Sequence, residues 1–243
     1  MSQPALEARD VSVVFFGLHA LSHVSLTVTP GEIVGLIGPN GSGKTTLINA
    51  LTGQVPLAGG QIRVDGKNVT ALAPRLIARK GVARSFQIVR LFDKLTVAEN
   101  VTAAALAQGH KHAHARQKAA AALAYFGLSK RADDMAATLS YGDKRRVEIA
   151  RALCAEPRYL LLDEPAAGMN DIESDQLLSI LSALPQERNL GLLIIDHDMP
   201  LIMRLCQRLH VLASGQTIAE GDAASVRAHP AVIEAYLGSS AHA

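Results

Sequence analysis

Residues 38 to 46 read Gly38-Pro39-Asn40-Gly41-Ser42-Gly43-Lys44-Thr45-Thr46, and the rest of the chain is understood from them. Gly38, Gly43, Lys44 and Thr45 fill the pattern of a glycine, four residues, then Gly-Lys-Ser/Thr. Glycine has no Cβ, so the backbone here can curl until successive N–H groups converge on one anion. Lys44 is a compact charge on a long stem, suited to the outer phosphates of a nucleotide, and the Thr45 hydroxyl is a hard oxygen ligand for Mg²⁺. Upstream, Ile33-Val34-Gly35-Leu36-Ile37 has the character of a short buried strand, and Thr46 to Leu51 begins as a helix. A helix starting near Thr45 aims its unpaired N–H groups and positive dipole end at the same anion. Strand, glycine loop and helix in that order read as a site for nucleotide phosphates.

On the N-terminal side, Leu6 to Phe16 and Leu21 to Val28 carry strand patterning, and Pro30-Gly31 supplies a turn before the loop strand. Beyond the first helix, Ile62-Arg63-Val64 alternates, Asp65-Gly66 signals a tight turn, and Gly81 to Phe86 reads as another short strand. From Val97 to Ala155 alanine dominates. Helices are expected over Val97 to Ala107, over Ala115 to Phe126 with Gly127 as its cap, and from near Gly142 to a stop before Pro157. Tyr159-Leu160-Leu161-Leu162-Asp163 and Leu192-Leu193-Ile194-Ile195-Asp196 are apolar runs separated by a helix near Glu173 to Leu184. Strands apolar on both faces and alternating with helices predict a parallel sheet covered on both sides. A hairpin through Ser214-Gly215 and a short helix over Pro230 to Leu237 complete the pattern.

Composition narrows the function classes. The 243 residues include 24 Lys and Arg against 22 Asp and Glu, a balance too mild to argue for a nucleic-acid surface. No run approaches the roughly 20 apolar residues of a bilayer span, since the Ala119 to Phe126 stretch is short and mostly alanine. The N-terminus lacks the basic and apolar segments of a signal peptide. Cys154 and Cys206 are isolated, without metal spacing, and read as reduced, buried thiols. His110, His112 and His114 are placed on an exposed turn or helix end.

Further stretches gain meaning beside the loop. Asp163-Glu164-Pro165 sets two carboxylates at the C-terminal end of a buried strand, where open α/β sheets bind ligands. Asp163 is the candidate Mg²⁺ holder and Glu164 the candidate general base for the attacking water. Gln87, after the Val82 to Phe86 strand, is placed to orient water and ligate Mg²⁺, and His197 to donate to a γ-phosphate oxygen. Ser140-Tyr141-Gly142-Asp143 opens a helix and offers a second anion site from hydroxyl, N–H groups and dipole. Two γ-phosphate devices nearly a hundred residues apart suggest two different nucleotides.

The order of phosphate loop, Gln87, Leu139-Ser140-Tyr141-Gly142-Asp143, Leu161-Leu162-Asp163-Glu164-Pro165 and His197 resembles the ATP-binding subunits of ABC transporters over essentially the whole chain. The resemblance implies an α/β fold: a phosphate-loop NTPase (RecA-like) core with a mostly parallel sheet, an N-terminal antiparallel β layer and a helical insertion. It implies one ABC ATPase domain, with 1–86 as β layer and loop part of the core, 87–155 as helical part, and 156–243 as the remaining core. It also implies ATP and Mg²⁺ as ligands and a second ATPase subunit bound head to tail. Ser140 and Gly142 then contact the γ-phosphate of the other subunit's ATP, Glu164 is the base and His197 the γ-phosphate sensor. Phe16 stacks on adenine, with Phe15 as the other candidate. The family's common signature, Leu-Ser-Gly-Gly-Gln, is altered here to Tyr141 and Asp143, with Lys144, Arg145 and Arg146 as the cations that offset Asp143. Asn170 stands where many relatives have Asp.

Within the family, Arg84-Ser85-Phe86-Gln87, the run from Arg90 to Asn100, Pro165-Ala166-Ala167-Gly168 and the ending His229 to Gly238 resemble the ATPases of branched-chain (hydrophobic) amino-acid importers. Urea and amide importers and lipopolysaccharide-export ATPases share much of this pattern. The implied partners are two membrane permeases, contacted through Leu91 and Phe92, and indirectly an extracytoplasmic solute-binding protein, but no nucleic acid. The implied location is the cytoplasmic face of the membrane, as a peripheral subunit. For Leu91 and Phe92, packing beneath the helical insertion is the alternative reading. A soluble ABC ATPase acting on nucleic acid or ribosomes is the competing class, and it usually carries two cassettes or long insertions.

Overall fold

The computed structural model describes residues 3–86, 89–196 and 198–239. Two long strands come first, β1 (Leu6–Phe15) and β2 (Leu18–Val28), paired antiparallel through a turn at Phe16-Gly17. They lead to β3 (Ile33–Ile37), the phosphate loop and α1 (Lys44–Leu51). Strands β4 (Gly59–Val64) and β5 (Lys67–Asn68) follow, joined by Asp65 and Gly66, both at positive φ as a tight two-residue hairpin requires. Next are α2 (Pro74–Arg79) and β6 (Val82–Arg84), then α3 (Val97–Ala107), α4 (His112–Tyr125) and α5 (Tyr141–Cys154). The rest alternates: β7 (Tyr159–Asp163), α6 (Asp171–Arg188), β8 (Gly191–Ile195), α7 (Met199–Leu205), β9 (Arg208–Ala213), β10 (Gln216–Gly221), α8 (Ala223–Ala228) and α9 (Pro230–Ser239).

The strands form two sheets. One is antiparallel in the order β2-β1-β4-β5, and the other runs β10-β9-β3-β8-β7-β6, parallel except for its edge strand β10. Every residue of β3, β7 and β8 is buried, which is why these segments read as unbroken apolar runs. Successive side chains in a strand point to opposite faces, so these runs feed two cores. Ile33, Ile37, Leu160, Leu162, Leu192 and Ile194 pack among the helices, with Leu177, Leu181 and Ile202. Val34, Leu36, Leu161, Leu193 and Ile195 meet the antiparallel sheet and α1 instead. Each Leu or Ile buried in this way stabilises by about 1.5–3 kcal/mol.

Helices α3, α4 and α5 pack on one another, and Ala105, Ala115 and Ala119 at their contacts are small enough to bring the axes close. Thr96 and Glu99 close a capping box at the start of α3. No helix among the described residues is long and apolar enough to cross a membrane.

Several boundaries differ from expectation. The strand expected over Gly81 to Phe86 is confined to β6, and α4 opens three residues early, at His112. Helix α6 is longer than expected at both ends, because Asn170 and Glu173 form a capping box and Pro185 sits inside its last turns without ending it. Helices α2, α7 and α8 were not foreseen: each is short, and α2 and α7 carry Pro in the first turn, where the missing N–H costs nothing.

Candidate nucleotide site

The phosphate loop leaves the carboxyl end of β3 and enters α1. Gly38 has φ +149°, and a Cβ there would lie 2.0 Å from the Leu212 carbonyl oxygen, so nothing larger fits. At Gly43, φ is +104° and a Cβ would come within 2.8 Å of the Ala20 carbonyl. Strand β2 therefore presses against the loop's exit, and the Gly215 N–H ties the β9–β10 turn to the Ser42 carbonyl at 3.0 Å. The Tyr236 hydroxyl of α9 hydrogen-bonds the Gly38 backbone. Helix α1 opens at Lys44 with no side-chain cap and no acidic residue in its first turn. Its first N–H groups are thus left for an anion, as the cradle requires. Lys44 Nζ donates to the carbonyls of Gly38 at 2.7 Å and Pro39 at 2.9 Å, and lies 3.4 Å from Ser42 Oγ. Burial lowers the Lys44 pKa, opposed by the nearby charges of Glu164 and Asp163. Ser42 is buried, Thr46 half-buried, and Asn40, Gly41 and Thr45 exposed.

Parallel register brings the two candidate carboxylates, Asp163 and Glu164, to the loop. Leu36 of β3 pairs with Ile195 of β8, which pairs with Asp163 of β7, so the three strand ends lie side by side. Asp163 is 4% exposed, and its N–H donates to Ser85 Oγ at 3.3 Å. Burial raises the Asp163 carboxyl above the usual carboxylate range, while Arg84, Arg145 and Lys44 pull the other way. Glu164 takes φ +46° and donates its N–H to the Ile195 carbonyl at 2.8 Å. A left-handed conformation at a residue other than glycine costs on the order of 1–3 kcal/mol and clusters at functional sites. Lys44 thus lies within the field of Asp163, and Thr45 follows it at the start of α1; cation, hydroxyl and carboxylate are a donor set that fits a nucleotide with Mg²⁺.

Ser140 is the N-cap of α5, its Oγ accepting the Asp143 N–H at 3.1 Å. Asp143 is held by Arg131 at 3.0 Å and Arg146 at 3.5 Å. Of the three cations expected to offset it, Arg146 alone pairs with it. Arg145 turns into the protein, and the second partner, Arg131, comes from a short 3-10 turn (Ser129–Arg131) ahead of α5. Tyr141 has room because its ring faces Gly168, where a Cβ would lie 3.0 Å from the ring. A Cβ on Gly142 would collide with the Glu173 carboxylate at 2.8 Å. Asn170 caps α6, a task Asn performs as well as Asp. Among the described residues, no hydrogen bond or ion pair joins residues 140–143 to residues 38–46.

Phe16, at φ +48° in the β1–β2 turn, is fully exposed, whereas Phe15 is partly covered. Leu91 packs against the core; Phe92 is 57% exposed, with the Arg151 guanidinium 5.8 Å from its ring centre. Gln87 and His197 lie outside the described residues. Both cysteines are buried, and burial pushes the Cys206 thiol up to about 12. His112 opens α4, and the rings of His110 and His114 meet edge to face.

Sequence reasoning passed over Arg84, Glu148 and Glu173, and misread Arg145. Arg84 donates to Asn49 Oδ1 at 2.7 Å and lies over the Phe86 ring, while Arg145 and Glu148 form a buried pair. In a linear reading these are ordinary charged residues, and only packing shows that they point inward.

The ABC transporter family model matches residues 21–167, and the model for branched-chain amino acid ATP-binding cassette transporters matches residues 216–242. The chain is 41% identical over 257 residues to the high-affinity branched-chain amino acid transport ATP-binding protein BraF of Pseudomonas aeruginosa, covering 98% of this chain and 99% of BraF. Identity is also 41% over 253 residues to the corresponding protein LivG of Escherichia coli K12, with 98% and 99% coverage. A crystal structure of the ADP conformation of an ATP-binding cassette of an ABC transporter superposes with a TM-score of 0.87 at 30% identity, covering 98% of this chain and all of that one. With the glycine cradle, the paired carboxylates and this full-length similarity agreeing, the chain belongs to the ATP-binding cassettes of ABC transporters, a family of ATPases.

Proposed function

We propose that the chain is the ATP-hydrolysing motor of an importer for branched-chain or other hydrophobic amino acids. The match of residues 216–242 to the branched-chain amino acid cassettes carries this reading, because that segment lies beyond the motifs shared by all ABC ATPases. ATP phosphates would sit in residues 38–46, held by the α1 N–H groups and Lys44, with adenine against the exposed Phe16. Thr45, Asp163 and Gln87 would hold Mg²⁺, which offsets the charge of the transferred phosphate. Glu164 would take the proton of the attacking water and His197 would bond the γ-phosphate. Ser140 and Gly142 would face the ATP of a second subunit, consistent with their separation from the loop within one chain.

As a single cassette, with 87–155 as its helical part, the chain would lie on the cytoplasmic face of the membrane against two permeases. An extracytoplasmic binding protein would then deliver the solute. Of the two proposed permease contacts, Phe92 is the better placed, since its side chain is exposed whereas Leu91 packs against the core. The test is affinity purification of the tagged chain from gently solubilised membranes, with the co-purifying proteins identified. Two multi-spanning permeases and a hydrophobic amino-acid-binding protein are expected. A lipid-export permease or a urea importer in their place would keep the motor and reject the solute. A chain that never associates with membrane proteins would overturn the transport reading.

A further inference from the structure

Arg145 is the largest side chain fully withdrawn from solvent in the described structure, and it lies on the helix that Ser140 caps. Its Nη1 donates to the Phe86 carbonyl at 2.6 Å and to Glu148 Oε2 at 2.8 Å, and its Nη2 donates to the Glu164 carbonyl at 3.2 Å. Glu148, itself 2% exposed, accepts the Arg90 N–H on its other oxygen at 3.4 Å. One guanidinium thus joins three segments: the signature helix α5, the chain entering Gln87, and the residue that carries the candidate base.

We propose that Arg145, held by Glu148, is a positioning residue that aims Glu164 and so governs turnover without touching nucleotide. The proposal rests on the reading of Glu164 as the base. Two physical arguments support it. A buried ion pair is commonly no more stabilising than well-packed apolar residues of the same volume, so stability alone does not account for placing one here. Glu164 also occupies a backbone conformation that persists only where its surroundings over-determine it. Its N–H is fixed by Ile195 and its carbonyl by Arg145, which together set the peptide planes on either side of Glu164 and hence the direction of its carboxylate. The planar five-donor fork of Arg serves carbonyls on two segments at once, and the single ammonium of Lys does not reproduce that geometry.

The experiment compares purified full-length wild type, Arg145→Lys, the double variant Arg145→Met/Glu148→Leu, and Glu164→Gln. Thermal midpoint, ATP bound per chain, KM and kcat are measured for each. The double variant is expected to fold with a lowered thermal midpoint, because the Phe86 and Glu164 carbonyls lose their donor, and to keep full ATP stoichiometry, with KM within about threefold and kcat down on the order of 10- to 100-fold, the cost of a small misplacement of a catalytic group. Arg145→Lys keeps the charge opposite Glu148, secures a folded variant should the double one fail to fold, and should show the same split. Added to Glu164→Gln, Arg145→Lys should cause no further loss, because residues acting as one unit are non-additive. A folded variant of either kind that binds ATP fully and turns over within about twofold of wild type would overturn the positioning role, as would additive loss in the combined variant. If Glu164→Gln itself hydrolyses ATP at the wild-type rate, the base assignment falls and the proposal with it. An inactive Glu164→Gln beside a fully active double variant rejects only the role of Arg145.

Discussion

Glu164 shows how much of this site is decided at single residues. It follows a buried strand, takes φ +46° and sits in the field of Lys44 and Asp163. Its proposed work is proton removal, which typically contributes about 10²- to 10⁴-fold. Glu164→Gln preserves shape and removes the proton acceptor, so kcat should fall by roughly that factor while ATP still binds. The check is steady-state hydrolysis beside equilibrium ATP binding; equal losses in both would point to a damaged fold. The same scale shows the limits of reading side chains in a line. Lys44, Asp163 and Glu164 announce themselves because a glycine loop and a strand end give them context. Arg145 and Glu148 carry no such context, since a charged pair three apart on a helix ordinarily faces water.

At the scale of elements, the terminal hairpin β9–β10 offers a test of electrostatics that leaves the nucleotide residues untouched. Arg208 of β9 reaches Glu32 at 2.9 Å and also pairs with Glu220 of β10; the buried His210 lies 3.3 Å from Glu220. The hydrogen bond from His210, then the charges of His210 and Arg208, hold the Glu220 carboxyl below its usual range. A carboxylate depressed on folding contributes stability above its unfolded value and loses it as pH falls through its folded value. Glu220→Gln should therefore lower the thermal midpoint near neutrality, and the gap from wild type should close in acid. Midpoints measured across that range check this, and a gap independent of pH would reject the linkage. Elements were legible where the pattern was unbroken apolar, as in the buried strands, or long enough to show a helical period. Strands β3, β7 and β8 and helices α3 to α6 were foreseen within a few residues, whereas α2, α7 and α8 were missed because six or seven residues are too few to show a helical period.

At the scale of the molecule, the signature residues and the phosphate loop belong to one chain yet share no bond among the described residues. If each completes a site on a second copy, defects in the two should complement. Lys44→Ala and Ser140→Arg should each be nearly inactive alone. Mixed in equal amounts they should recover about a quarter of the wild-type ATPase rate, since half of the dimers are mixed and each of those holds one intact site. Absence of recovery, with mixed dimers shown to form, would reject sharing between subunits.

The sequence by itself determined the phosphate loop and the paired carboxylates, because residue types at short spacing are converted by local backbone geometry directly into a site; it also determined the α/β alternation and the family, because apolar patterning and the order of the motifs along the chain are one-dimensional. Only the tertiary structure decided which faces of β3, β7 and β8 feed which core and which cations neutralise Asp143. It alone showed that Gly38 is obligatory against Leu212 and that Arg145 spans three segments. Those outcomes depend on contacts that run from within α5 itself to residues more than a hundred positions apart, set by how the elements pack rather than by local pattern.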